Sequence, residues 1–254
     1  MTFKQVVPSL FTAAAMLAGF SSMLASAEGE FVLAAQLILV SMILDGIDGT
    51  LARLLRATTK FGAELDTYVD MTSFGLAPAF LLYELILKNE GILGLMMVSA
   101  IVLSGVIRLS RFRVVDPFRG QHGYLGLPIT TAAGWITAFV IATQNAPVDQ
   151  IWLSLDHGPV ATLFWISTLA MILLQVSLVR YSKPTKNPLV FVPFTVSLIL
   201  LFFNGPLAIG SALMMAAYGF WFAFVSPFFR RQHLVLAPAD EDEDEEHPVT
   251  LHHS

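Results

Sequence analysis

Four aspartates, Asp45, Asp48, Asp66 and Asp70, lie within apolar segments of the sequence or at their ends. An acid at the centre of a bilayer costs roughly 2.5–3.5 kcal/mol on insertion scales, so four of them need compensation. The basic residues between the two pairs are too few to give each acid its own ionic partner. Hard divalent cations bind carboxylate oxygens and neutralise several of them together. The four residues therefore predict a divalent metal site.

The spacing of the aspartates favours two helices that face each other. Asp45 and Asp48 are i,i+3, and Asp66 and Asp70 are i,i+4, so each pair lies on one face of a helix. Small side chains let a flat or bulky ligand approach the backbone closely. Three small residues lie beside the acids: Gly49, Ala52 and Gly62.

The elements that carry these residues are expected to cross a membrane. Of the 254 residues, 56% are hydrophobic and only 13% are charged, and the mean hydropathy is +0.70. Soluble domains contain about 25% charged residues, so this chain lacks the polar groups to cover a surface in water. The absence of cysteine excludes a disulfide framework, a thiolate zinc site and a cysteine nucleophile. We predict an all-α, polytopic membrane helix bundle.

Eight apolar stretches are long enough to cross the bilayer, which takes about 20 residues. With both termini in the cytoplasm, every lysine and arginine except Lys88 falls on the inner side or at an inner helix end, as the positive-inside rule requires. We therefore predict eight transmembrane helices, with the aspartates towards the cytoplasmic face. Their approximate bounds are 8–27, 31–52, 64–87, 91–110, 125–145, 158–179, 187–204 and 206–228.

The two ends of the chain carry separate predictions. The first apolar segment ends in Ala25-Ser26-Ala27 and resembles a cleavable secretory signal, but its length and the charge balance of the topology favour a retained span. Near the other end, an unbroken acidic run covers residues 240–246 and is typical of a disordered, solvated tail. We assign residues 1–232 to a transmembrane catalytic domain and residues 233–254 to an acidic cytoplasmic tail.

The full acidic motif resembles the signature of the CDP-alcohol phosphotransferase family. The resemblance covers roughly residues 8–140 and implies the fold of that family. It also implies an enzyme of the cell inner membrane that transfers a phosphatidyl-type group from a CDP-activated lipid to a small alcohol and releases CMP. All eight fixed positions of the signature are present, in the order Asp45-x2-Asp48-Gly49-x2-Ala52-Arg53-x8-Gly62-x3-Asp66-x3-Asp70.

The resemblance also implies a role for each position of the motif. Asp45, Asp48 and Asp66 are expected to hold divalent metal, as two ions of Mg²⁺ or Mn²⁺. Asp70 is expected to border the metal site as a further metal residue and to act as general base on the acceptor hydroxyl. The expected partners are CDP-diacylglycerol, a small alcohol, membrane lipids and a second copy in a homodimer, with no nucleic acid. The cytidine nucleotide and its phosphates are expected to be accommodated by Gly49, Ala52, Arg53 and Gly62.

A second group of motifs bears on the acceptor alcohol. Ser73–Ala79 (SFGLAPA), Arg108–Arg113 (RLSRFR) and Gly126–Pro128 (GLP) resemble the phosphatidylserine synthases of the family. Eight spans also fit that branch, whereas the shared family core has six. The resemblance predicts L-serine as the acceptor and phosphatidylserine as the product. Glycerol 3-phosphate, inositol phosphate, inositol and choline are the alternative acceptors.

Serine is a zwitterion, and its carboxylate requires a cation. Arg108 and Arg111 are i,i+3 at an inner helix end, and we expect them to contact the substrate there. The alternative is that these arginines bind lipid phosphates or anchor the helix end at anionic headgroups.

A divalent-cation transporter is the alternative from another functional class, because intramembrane acids also line ion pathways. A carrier would more naturally have acids near the midplane and broken helices in matching halves of the sequence. Here the acids crowd at the cytoplasmic side in two adjacent segments, and small residues at fixed offsets favour a nucleotide. The enzyme is therefore the preferred interpretation.

Overall fold

The computed structural model describes residues 3–114, 124–147, 153–181, 195–203 and 205–229. Within these ranges the chain is almost entirely helical, which confirms the predicted fold class. Two π-helical turns, Met71–Leu76 and Trp221–Val225, and one 3-10 turn, Leu87–Glu90, continue or join the α-helices. The helices are α1 (Phe3–Ala27), α2 (Phe31–Leu54), α3 (Lys60–Asp70), α4 (Ala77–Leu85), α5 (Gly91–Val114), α6 (Ile129–Gln144), α7 (Gly158–Val176), α8 (residues 195–200), α9 (Pro206–Phe220) and α10 (Ser226–Phe229).

Five of the eight predicted spans coincide with a helix that is long and apolar enough to cross a membrane, so the protein is an integral membrane protein. The predicted span 64–87 is divided among α3, the first π turn and α4, and α6 is a shorter apolar helix. Half of the predicted span 187–204 lies outside the described residues, so the count of eight stays a prediction. The five long segments are Val6–Ala27, Phe31–Leu54, Leu87–Val114, Gly158–Val176 and Pro206–Val225.

The acidic tail predicted at residues 233–254 also lies outside the described residues.

A short reversal joins the two helices that carry the aspartates. After α2, Arg56 takes a φ of 51°, a left-handed conformation that stops the helix. Thr59 then caps α3, because its Oγ1 accepts a hydrogen bond of 2.9 Å from the backbone N–H of Gly62. The chain therefore turns back within a few residues, and α3 packs along α1.

The first two helices form a close antiparallel pair that supports this region. Gly29, at φ 82°, makes the turn between them. Ser22 Oγ donates to Ala34 O at 2.8 Å, and Ser41 Oγ donates to Ala15 O at 2.8 Å. These interhelical hydrogen bonds satisfy buried hydroxyl groups and hold the register of α2, which carries Asp45 and Asp48.

A short two-stranded sheet joins the chain after α5 to the chain after α7. β1 (Tyr124–Leu125) pairs antiparallel with β2 (Arg180–Tyr181). The buried Tyr181 hydroxyl donates to Ala223 O at 3.0 Å, within the second π turn. Burial raises the pKa of Tyr181 to about 12, so the hydroxyl stays protonated and keeps this bond at neutral pH. The π turn frees backbone carbonyls from the helical pattern, and Tyr181 satisfies one of them.

The first π turn follows Asp70 directly and is packed tightly against α1. Ser73, which opens the SFGLAPA motif, is fully buried, and its Oγ donates to Ala15 O at 3.3 Å. A Cβ at Gly19 of α1 would overlap Ser73 Oγ and would lie 2.8 Å from Ser73 Cα. Most of the motif is buried in the bundle, so its residue types match the close helix packing beside Asp70.

Gly19→Ala is expected to lower the melting temperature of the purified protein by several degrees, because overpacking of a tight contact costs about 1–3 kcal/mol. Gly210→Ala in α9 is the matched control, since nothing lies within 4 Å of a Cβ there. Thermal unfolding in detergent, followed by intrinsic fluorescence, measures both. Equal melting temperatures for the two variants would contradict the close approach of α1 to the π turn.

Candidate active site

Three of the four predicted aspartates form one cluster. A carboxylate oxygen from each of Asp45, Asp48 and Asp66 lies within 4.8 Å of the other two. Asp48 is buried, Asp45 is half-buried and Asp66 is exposed, so the cluster is open on one side. Carboxylates at this separation can share a divalent cation and still leave coordination positions for a substrate.

Unsatisfied oxygens in the cluster test whether a cation fits there. Asp45 Oδ1 and Asp48 Oδ2 are buried and have no hydrogen-bond donor among the described residues. The side chains of Asp45 and Asp66 are also within hydrogen-bonding reach of each other. Two carboxylates can make such a contact only if a proton or a cation lies between them. The donor set is all oxygen and acidic, and it fits a hard divalent cation.

Asp70 borders this cluster. It ends α3 and is outside the group of three carboxylates whose oxygens lie within 4.8 Å of one another. Its charge interacts with those of Asp66, Arg108 of α5 and Asp48. Asp70 is thus within electrostatic range of both the candidate metal site and a buried cation, and its role as base or further metal ligand stays a prediction.

The remaining motif positions line the open side of the site or shape its backbone. Arg53 is exposed, and its Nη2 donates to Thr50 Oγ1 at 3.2 Å. A Cβ at Gly49 would lie 3.6 Å from Arg53 Nη1, so the guanidinium lies over the glycine. Gly62 provides the N–H that Thr59 caps. The predicted nucleotide contacts of Gly49, Ala52, Arg53 and Gly62 remain predictions.

The two arginines predicted to contact the substrate have different surroundings. Arg108 is only 6% exposed and interacts with Asp70. Arg111 instead donates from Nη1 to Val176 O at 2.6 Å and to Ser177 O at 2.9 Å, at the C-terminal end of α7. A cation at that position satisfies carbonyls that lack intrahelical donors. Of this pair, Arg108 is therefore the better placed to meet an acceptor.

Two further contacts connect α5 with α3. Arg113 forms an ion pair with Glu64, and its Nη1 lies 3.4 Å from Ala63 O. Both partners lie in the N-terminal half of α3, on the helix that carries Asp66 and Asp70. The end of α5 is thereby tied to the helix that carries the candidate base.

Sequence analysis missed Thr12 of α1. Its hydroxyl is buried, donates to Pro8 O at 3.0 Å and is within hydrogen-bonding reach of the Asp48 carboxylate. Asp48 Oδ2 has no donor, so Thr12 can hold the carboxylate in an orientation that leaves one oxygen available to a cation. The only signal in the sequence was a hydroxyl residue in an apolar span, which is common.

Thr12→Val is expected to weaken Mn²⁺ binding by about 10-fold, because loss of a residue that orients a metal ligand typically costs 10–100-fold in affinity. Thr12→Ser keeps the hydroxyl and should stay within about twofold of the wild type. Titration of the purified proteins with Mn²⁺, followed by electron paramagnetic resonance of the free ion, gives the dissociation constants. Wild-type affinity in Thr12→Val would exclude a role for this hydroxyl in the metal site.

Comparisons with known proteins agree with this geometry. The model of the CDP-alcohol phosphatidyltransferase family matches residues 5–171, which include all four aspartates. A CDP-diacylglycerol–serine O-phosphatidyltransferase of Helicobacter pylori (strain ATCC 700392 / 26695) is 33% identical over 77% of this chain and 81% of its own. A protein of the same name from Methanocaldococcus jannaschii is 33% identical over 72% of this chain and 80% of its own. An archaetidylserine synthase of Methanothermobacter thermautotrophicus is 34% identical over 53% of this chain and 58% of its own. The resemblance inferred from the motif is confirmed, and the chain belongs to the CDP-alcohol phosphatidyltransferase family.

Proposed function

We propose that this enzyme transfers the phosphatidyl group of CDP-diacylglycerol to L-serine, giving phosphatidylserine and CMP, in a reaction that depends on a divalent metal. CDP-alcohol phosphatidyl transfer follows from family membership. The observation that supports the finer assignment is the charge environment of Asp70, which interacts both with the carboxylate cluster and with Arg108. The names of the relatives support serine as the acceptor.

The cluster of Asp45, Asp48 and Asp66 is the proposed holder of two Mg²⁺ or Mn²⁺ ions. Bound there, divalent ions supply charge neutralisation to the transferred phosphoryl group and to the leaving phosphate. The small residues Gly49 and Ala52 let the nucleotide approach α2 closely, and Arg53 at the open side supplies a cation for its phosphates. In this proposal the aspartates orient the donor.

Asp70 is the proposed general base. Its carboxylate accepts the proton of the serine hydroxyl as the serine oxygen forms a bond to the phosphorus that carries the diacylglycerol. The bond between that phosphorus and the bridging oxygen breaks, and CMP leaves with the oxygen and the electron pair. A base that borders the metal cluster without belonging to its three-carboxylate group can reach a hydroxyl placed for attack.

Arg108 is the proposed partner of the serine carboxylate. In the described part of the chain, Arg111 donates to carbonyls of α7 and Arg113 pairs with Glu64, and the charge of the buried Arg108 acts on Asp70. A single nearby cation suits a carboxylate better than a phosphate monoester, which carries more charge. This arrangement favours serine over glycerol 3-phosphate and inositol phosphate.

The topology and the assembly belong to the same proposal. The distribution of basic residues supports cytoplasmic termini and an active site that opens to the cytoplasm, where a water-soluble acceptor arrives. We propose a homodimer in the cell inner membrane, with residues 1–232 as the catalytic domain and residues 233–254 as a solvated tail.

Release of CMP by the purified protein tests the proposal. With CDP-diacylglycerol and Mn²⁺ or Mg²⁺, serine is expected to support release, and glycerol 3-phosphate, inositol phosphate, inositol and choline are not. A chelator is expected to abolish the activity. Release of CMP with another acceptor would overturn the assignment of serine as the acceptor and would leave the proposed phosphatidyl transfer standing. No release with any acceptor, from folded protein that binds Mn²⁺, would favour a cation carrier.

Asp70→Asn is expected to lower kcat at least 100-fold, because general-base catalysis contributes about 10²–10⁴-fold. Melting temperature and binding of the CDP-lipid should stay close to wild-type values, since the amide keeps the shape of the side chain. Glu64→Gln, at another acidic position of α3, is the matched control and should keep most of the activity. Turnover of Asp70→Asn near the wild-type rate would remove Asp70 from the role of base.

A further inference from the structure

The C-terminal end of α7 is contacted by two of the three motifs that the sequence connects with the acceptor. From RLSRFR, Arg111 donates to Val176 O and Ser177 O. From GLP, Leu127 N–H donates to Leu174 O at 3.1 Å, and Gly126 N–H donates to Val179 O at 2.8 Å. The last carbonyls of a helix lack intrahelical donors, and Arg111 and Leu127 donate to carbonyls at this helix end, whereas Val179 lies just beyond it. Both motifs therefore act on the end of α7.

Gly126 allows this approach. Its φ is 75°, which favours glycine, and a Cβ at this position would overlap Gln175 O and lie 3.3 Å from Ser177 O. The glycine of GLP is therefore required by the contact with the backbone of α7.

The residue presented at this end of α7 is Gln175. It is only 3% exposed, and its Oε1 lies 3.1 Å from Ser104 Oγ, which donates the hydrogen bond. Ser104 is likewise buried, at 2% exposure, and also lies 2.8 Å from Ile101 O. A polar pair buried inside a membrane protein is costly unless it is satisfied, so this bond fixes how α5 and α7 meet.

The contacts with α7 lie on both sides of Arg108 along α5. Ser104, Arg108 and Arg111 are spaced i, i+4 and i+7, which puts them on one face of the helix. α7 contacts this face through Gln175 at one end and through its terminal carbonyls at the other. Contacts with α7 therefore hold the segment of α5 that carries Arg108 on both sides of this residue along the helix.

We propose that Gln175 is a positioning residue for the acceptor: through Ser104 it orients the α5 segment that places Arg108 beside Asp70, and so sets the affinity for a small acceptor that carries a carboxylate. This inference rests on the proposed function, because it takes Arg108 as the carboxylate partner. Arg111 has a supporting role in the same brace and does not touch the acceptor.

Steady-state kinetics of Gln175→Leu and Ser104→Ala test the inference. Each variant is expected to raise the KM for serine about 10-fold, as expected for one lost polar interaction, and to leave the KM for CDP-diacylglycerol and the Mn²⁺ affinity within about twofold. The double variant should have about the same KM for serine as each single variant, because both substitutions remove the same hydrogen bond. Thr168→Val, at another buried polar position of α7, is the control and should leave every parameter unchanged.

An unchanged KM for serine in both single variants would overturn the inference. Equal changes in the KM values of serine and of the lipid would also overturn it, since they indicate general loss of packing. If Gln175→Leu does not fold, Ser104→Ala carries the test alone. If the wild type uses another acceptor, the proposed function fails, and the same variants, measured with that acceptor, still decide whether Gln175 positions it.

Discussion

The repulsion among the carboxylates of Asp45, Asp48 and Asp66 is the constraint on which the rest of the structure depends. Their oxygens lie within 4.8 Å of one another, and buried oxygens of Asp45 and Asp48 have no donor among the described residues. Like charges this close inside a membrane bundle destabilise the fold unless they are neutralised. A divalent cation bound there would remove that cost and would make metal binding part of the folding free energy. The interaction that stabilises the bundle is then also the one that prepares it for phosphoryl-type transfer.

The surrounding helices can be understood as means of holding this cluster and its neighbours in place. α1 fixes the register of α2 through serine hydroxyls and brings Thr12 to Asp48. The π turn after Asp70 packs against Gly19 and so fixes the end of α3. On the opposite side, α7 braces the face of α5 that carries Arg108. In the proposed function, the donor site is thus built by the first helices of the chain and the acceptor side involves the later ones.

Much of the fold and of the metal site could be predicted from the sequence, because intramembrane acids and long apolar segments are strong local signals. Asp45, Asp48 and Asp66 come together as their helical spacing predicted. The partners of Arg111 could not be predicted, because they are backbone carbonyls of α7, some 65 residues away along the chain. The π turn was missed as well, because nothing in SFGLAPA distinguishes it from a continuous helix. Thr12 and Gln175 have ordinary polar side chains, and only tertiary packing shows what they contact.

Anomalous scattering from crystals of the full chain grown with Mn²⁺ tests the central claim most directly. The account predicts Mn²⁺ peaks at the cluster, with carboxylate oxygens of Asp45, Asp48 and Asp66 at coordination distance, about 2.0–2.3 Å. The peaks should be lost in Asp48→Asn, while the helices keep their arrangement. Mn²⁺ bound elsewhere, or a well-ordered cluster without any peak at saturating Mn²⁺, would contradict the claim that these carboxylates are paired through metal.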